Sequence, residues 1–208
     1  METSMARLSS GKRINSGADD AAGLFLTKRM NTEIQGLNQA VRNASDAQAF
    51  LQTAEGALEE VHTILLRIRE LAVQASNGTY TAQDRTALQA EVTDLQSEIN
   101  RIATDTTFNN IGVLSGAAST GITFQLGADN TQTMTVSIAR ITISAAGINI
   151  STAAQISTAA GAMAYISTID AAISTISTNR GTYAAAINRL DHAIANMQNV
   201  ATNLAAAK

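Results

Sequence analysis

The sequence predicts a mainly α protein, an elongated antiparallel helical rod of the coiled-coil-bundle kind with a small β-hairpin element at one end. Three observations carry this. Apolar residues recur at intervals of three and four over two long stretches, 30–75 and 166–204. Aromatics make up only 3% of the 208 residues although 45% are hydrophobic, so much of the apolar surface is Ala, Ile and Leu, suited to narrow helix–helix seams. The chain has no Pro, so the usual helix breaker is missing throughout.

The first helix is expected from about Asp19 to Ala75. Its seam reads Met30, Ile34, Leu37, Val41 and Ala44, then Ala47, Leu51, Ala54, Leu58, Val61, Leu65, Ile68, Ala72 and Ala75. This is the heptad rhythm of a packed seam, with one phase slip of the stammer kind between Ala44 and Ala47. Asp19 and Asp20 read as first-turn acids that favour the positive end of the helix dipole. An uninterrupted helix of this span would be about 85 Å long at the usual rise per residue.

Ser76-Asn77-Gly78-Thr79 closes that helix, because Asn-Gly is strong turn chemistry. Thr81 is the expected N-cap of a second helix, with Asp84 in its first turn. That helix carries Leu88, Val92, Leu95, Ile99 and Ile102, and the short turn makes it antiparallel to the first. From Thr104 the composition shifts to Thr, Asn and Gly. Ile122, Phe124 and Leu126, then Met134, Val136 and Ile138, alternate as two half-buried strands of a hairpin. An extra strand is expected at Arg140 to Ser144.

The last helix is expected to begin between Thr152 and Ser157. Its seam is Ile166, Ile169, Ile173, Ile176, Arg180, Tyr183, Ile187, Leu190, Ile194, Met197, Ala201 and Leu204, with Arg180 the one charge. The two long helices bury their seams most simply by lying antiparallel, with the second helix in the angle between them. Both chain ends would then meet at one end of the rod, and the strands would lie at the other. The implied organisation is a linker stretch at 1–18, rod helices at 19–103, a small β region at 104–155 and a final rod helix at 156–208.

Composition excludes several functions. With no Cys there is no disulfide, thiolate metal site or Cys nucleophile. A net charge of −3 without a basic block argues against nucleic acid as a partner. No apolar run is long enough to span a membrane, and Met1 to Leu8 lacks the apolar core of a cleavable signal peptide. Two Met residues within this start read as an artificial beginning. Glu59-x-x-His62 matches half of a di-iron bundle motif, but Arg189 precedes His192 at the corresponding spacing. His62 and His192 therefore read as solvated helix-face residues. There is no HExxH, GxSxG or phosphate-cradling loop, so neither an enzyme nor a cofactor is expected. Arg67 and Arg69 lie off the seam, with Glu70 three residues beyond Arg67. That pattern reads as a solvated face with one ion pair, or as a protein contact surface.

RLSSGKRINSGADDAAG (Arg7 to Gly23) resembles the N-terminal signature of bacterial flagellin. So do GLNQAVRNASDAQAFLQTAEGAL (Gly36 to Leu58), LLRIRELAVQASNGT (Leu65 to Thr79), LQAEVTDLQSEINRIATDTTFNNIGVL (Leu88 to Leu114) and STIDAAISTISTNRGTYAAAINRLDHAIANM (Ser167 to Met197), in family order. The resemblance implies an exported, extracellular subunit of the flagellar filament that assembles with copies of itself. An export chaperone and a cap protein are implied as further partners. Leu8, Ser9, Ser10, Gly11, Arg13, Ile14, Asn15, Asp19, Asp20 and Gly23 would link the rod to inner terminal helices and pack subunits together. Flagellins carry such helices upstream of Leu8 and downstream of Lys208, so these residues alone are expected to stay monomeric. Arg67, Leu71 and Glu91 match positions through which some flagellins meet the vertebrate Toll-like receptor for flagellin. Leu66 stands where Gln is usual, and Phe25 where a small residue is usual.

Two other functions compete with a filament subunit. One is a flagellin-like surface protein that binds a polysaccharide or host component through the Thr- and Asn-rich hairpin at Gln125 to Thr135. It lacks the exposed aromatics that stack on sugars. The other is a hook–filament junction protein, which the near-continuous match between Leu65 and Leu114 disfavours.

Overall fold

The computed structural model describes residues 5, 8–9, 11, 13–144, 147–150 and 156–208. In chain order its elements are helices α1 (Ala21–Ser76) and α2 (Ala82–Asp105), strands β1 (Thr107–Phe108), β2 (Ile111–Gly112), β3 (Ile122–Gln125) and β4 (Thr133–Val136), and helix α3 (Ala159–Ala207). The fold is mainly α. Its strands form two small hairpins, β1 with β2 and β3 with β4.

The chain divides into two compact units. The first comprises Met1–Ser45, Phe124–Met134 and Asp191–Lys208. Leu37, Ala40, Ala44, Met134 and Met197 are buried in it. Antiparallel pairing of α1 with the end of the chain is marked by the Lys208 ammonium, which donates to Asn31 Oδ1. The tip of the β3–β4 hairpin packs on α1 here. Asn43 Nδ2 donates to the Gln125 carbonyl at 3.2 Å, and a Cβ on Gly36 would lie 2.9 Å from that of Ala128. Glycine at 36 is therefore what admits the hairpin. The tip of β3–β4 shares a unit with both ends of the chain, contrary to the expectation that the strands lie away from them, whereas β1 and β2 belong to the other unit.

The second unit comprises Asp46–Thr123 and Thr135–Leu190. Ala47, Leu51, Ala54, Leu58, Val61, Leu65, Ile68, Ala72 and Ala75 are all buried along α1, as the spacing requires. Arg69 pairs with Asp170 at 2.7 Å and Arg180 with Glu55 at 2.8 Å, so α3 runs antiparallel to α1. Thr81 caps α2 in a reciprocal capping box with Asp84. The Asp84 carboxyl is held below the usual carboxylate range, first by the Thr81 hydroxyl and then by its backbone N–H. The buried stripe of α2 is Val92, Gln96, Ile99 and Ala103, one position over from the expected Leu95 and Ile102.

The β1–β2 hairpin was not expected from the sequence. It turns on Asn109 and Asn110, whose φ values are 49° and 62°. Positive φ at both central residues is the hairpin geometry that Asn tolerates best. Phe108 packs edge-on against Phe50 of α1, with ring centres 5.7 Å apart. Arg140 to Ser144 forms no strand. Ile141 N–H bonds to the Leu114 carbonyl, and the chain then folds on itself through Ile148 N–H and the Thr142 carbonyl. α3 starts at Ala159, while residues 152–155 of the expected start lie outside the described ones.

Candidate functional site

Residues 15–20, just before α1, form a turn. Asp19 Oδ2 accepts from Asn15 N–H at 3.2 Å, Ser16 N–H at 3.0 Å and the Ser16 hydroxyl at 3.2 Å. Asp20 Oδ1 accepts from Gly23 N–H at 2.9 Å, so Asp20 is the N-cap of α1. This corrects the reading of both acids as first-turn residues: the helix begins after them, at Ala21, and its first turn carries no acid. A Cβ on Gly23 would lie 2.4 Å from Asp20 Oδ2 and 2.7 Å from Ile14 Cδ1, so glycine lets the turn close on the helix. Gly11 takes φ +64°, which also suits glycine. Leu8 and Ser9 are exposed, as are Arg13 and Asn15, and Ile14 is half-buried. Ser10 lies outside the described residues. Beside the turn is a cavity of about 850 Å³, lined by Arg13, Ile14, Leu24, Lys28, Ile34 and Lys208 among others.

The second group lies on α1 and α2 within the second unit. Arg67 donates from Nε and Nη2 to Glu91 Oε1, at 2.9 and 2.8 Å, and from Nη1 to Glu70 Oε2 at 2.6 Å. Its pKa is pushed up, first by the bond to Glu70 and then by that to Glu91. The bridge ties two helices, where the sequence suggested one pair along a single helix. Leu71 is only 1% exposed and belongs to the core, Glu91 is half-buried, and Leu66 is exposed beside Arg67.

Some polar groups were missed as a set. On α2, Gln89 Oε1 accepts from Ile156 N–H, Gln96 Nε2 donates to the Ile150 carbonyl, and Asn100 Oδ1 accepts from Ile143 N–H. Tyr165 and Tyr183 of α3 join them, through the Ile150 carbonyl and Ala139 N–H. Together they bond four backbone groups of the described part of the connection between β4 and α3: Ala139 N–H, Ile143 N–H, the Ile150 carbonyl and Ile156 N–H. The signal was present in the sequence: three amides at spacings of seven and four share one helix face. His62 is half-buried, with Nδ1 unpartnered, and His192 is exposed. Among the described residues, no three His, Asp or Glu come together as a metal site.

Residues 1–119 match the family model for the bacterial flagellin N-terminal helical region. The chain belongs to the flagellin family. A flagellin of Halalkalibacterium halodurans is 42% identical over 207 residues, covering all of this chain and 75% of that one. A flagellin of Treponema pallidum is 39% identical and covers 97% of this chain and 75% of its own length. The crystal structure of Bacillus cereus flagellin superposes with a TM-score of 0.64 at 37% identity, covering 81% of this chain and 95% of that one. A putative flagellar hook-associated protein of Vibrio parahaemolyticus shares the fold, with a TM-score of 0.76 at 16% identity over 92% of this chain and 98% of that one. This flagellin is thus a structural protein of the extracellular filament, with a role in motility rather than catalysis.

Proposed function

We propose that this flagellin packs against neighbouring subunits through the turn at 8–23 and the start of α1. The observation that supports it is the exposure of Phe25, at 70%, and of Leu26, at 42%, directly after a turn fixed by Asp19 and Asp20. Large adjacent apolar side chains left in water beside a fixed backbone are what a partner surface covers. Leu8, Ser9, Gly11, Arg13, Ile14, Asn15 and Gly23 belong to that surface in this reading. An export chaperone and a cap protein belong to the same reading through the family resemblance.

The test is seeded growth on filament fragments, comparing the parent subunit with a Phe25 variant. Phe25→Ser should cut incorporation while helicity by circular dichroism stays the same. Equal incorporation of variant and parent overturns this surface.

A second surface, Arg67 and Glu91 of the set that includes Leu71, would by family resemblance dock the innate immune receptor for flagellin, with Leu66 a departure from that pattern. The guanidinium is held in place before binding, so little freedom is lost on contact. Arg67→Ala should weaken receptor binding with no change in fold, and unchanged affinity removes the assignment.

A further inference from the structure

We propose that Asn77 is a site of spontaneous covalent modification, where the turn after α1 favours closure of a succinimide and its opening to aspartate and isoaspartate. Asn77, Gly78 and Thr79 are all exposed, so water and hydroxide reach them. Thr79 N–H donates to Asn77 Oδ1 at 3.2 Å. That bond is the side-chain-to-backbone contact of an Asx turn, and it holds the side-chain amide close to its own main chain. It also places a donor on the oxygen where negative charge develops when the carbonyl is attacked.

The backbone around the reacting atoms is held. Asn77 N–H donates to the Gln74 carbonyl at 3.2 Å, and the Asn77 carbonyl accepts from Tyr80 N–H at 3.3 Å and Arg85 Nη2 at 2.9 Å. Asn77 Cγ and the Gly78 nitrogen are separated by only a few bonds of one chain, so the ring closure is intramolecular. Gly78 offers no steric obstacle: it has no side chain, and nothing lies within 4 Å of where a Cβ would be. Asn110, by contrast, precedes the β-branched Ile111, which crowds the same approach.

The chemistry balances with water alone. Solvent base takes the Gly78 amide proton, and the nitrogen bonds to Asn77 Cγ. The tetrahedral intermediate then breaks its bond to the side-chain nitrogen, which leaves as ammonia after taking a proton from solvent. Water adds to either carbonyl of the resulting imide and breaks one ring C–N bond. Opening on one side gives aspartate at 77; opening on the other routes the main chain through the side chain as isoaspartate. Both place a carboxylate at the negative end of the α1 dipole, beside the Arg85 guanidinium that already contacts the carbonyls of Ala75 and Asn77.

The folded chain would be held in warm, mildly alkaline buffer and digested with trypsin, and peptide 70–85 followed by chromatography and mass spectrometry. The expected result is loss of the original peptide and growth of two products of equal mass, each heavier by the exchange of NH2 for OH. The rate should rise with hydroxide concentration. Gly78→Ala, which the open space tolerates, should suppress both products at unchanged helicity. The proposal is overturned if Asn77 stays intact in the folded chain, including when the free peptide converts, or if Gly78→Ala converts as fast as the parent.

Discussion

Arg180 on α3 donates from Nε to Glu55 Oε1 on α1 at 2.8 Å, and its Nη1 pairs with Glu59. Arg180 occupies a place in the apolar rhythm of α3, yet it is stable there because the antiparallel register brings two acids to it. The pair is about one-third exposed, at 31% and 30%, so it lies between a surface and a buried bridge. A double-mutant cycle with Arg180→Ala and Glu55→Ala should give a coupling of roughly 1 kcal/mol. Strict additivity in urea denaturation would show that the contact fixes nothing.

Alkaline pH should loosen the second unit through its buried tyrosines. Burial is the main cause that pushes the Tyr183 phenol up, from 10.0 to about 12, and burial likewise raises Tyr165. A phenol with a raised folded pKa keeps its proton longer when folded. Its stabilising contribution is full below pH 10.0 and is lost as pH rises through the folded value of about 12. Tyr183→Phe should flatten the fall in urea midpoint across that window. It should also cost about 1–2 kcal/mol at neutral pH, because Ala139 N–H loses its acceptor. An unchanged alkaline slope would remove Tyr183 as the sensor.

The amide face of α2 can be tested one bond at a time. Asn100→Ala frees Ile143 N–H, so its hydrogen exchange should speed up about tenfold, the equivalent of one lost hydrogen bond. Ile141 N–H, which bonds to the Leu114 carbonyl, should keep its rate. Equal acceleration at both amides would mean that the whole connection has come loose.

At the other unit's turn, Gly23→Ala should disturb the cap rather than the helix interior. The new methyl displaces the Asp20 carboxylate and presses on Ile14, so about 1 kcal/mol of capping is lost. Fraying should appear in the amides of residues 21–24 by exchange measured with NMR. If those amides stay protected, the carboxylate has found another route to the same bond.

The helices were legible because their seams are long enough to reveal a period. In α1 each expected seam position from Ala44 to Ala75 is buried. The seam of α3 was read slightly off centre. Ala162, Ala172 and Ala186 are buried while Ile166, Ile173 and Ile187 are only half-buried, because reading by side-chain size favours Ile where close packing selects Ala. Short strands carry too few residues for a period, so β1 and β2 were detectable only through Asn109-Asn110. Of the candidate site, Arg67 and Glu91 could be named from the sequence as separate positions. Their bond could not, because 24 residues and a turn separate them. Leu71 shows the opposite limit: its place in a motif said nothing about its burial.

The amide grip on the connection between β4 and α3 bears on how this chain can evolve. Gln89, Gln96 and Asn100 recognise main-chain atoms, which every residue type shares apart from the N–H that proline lacks. A clasp of that kind is indifferent to spelling. The isoleucines pressed inward must stay apolar, but an exposed letter such as Ser144 can be rewritten without loosening the clasp. Exposed positions such as Ser144 can thus change while the bonds from Gln89, Gln96 and Asn100 to the main chain stay the same.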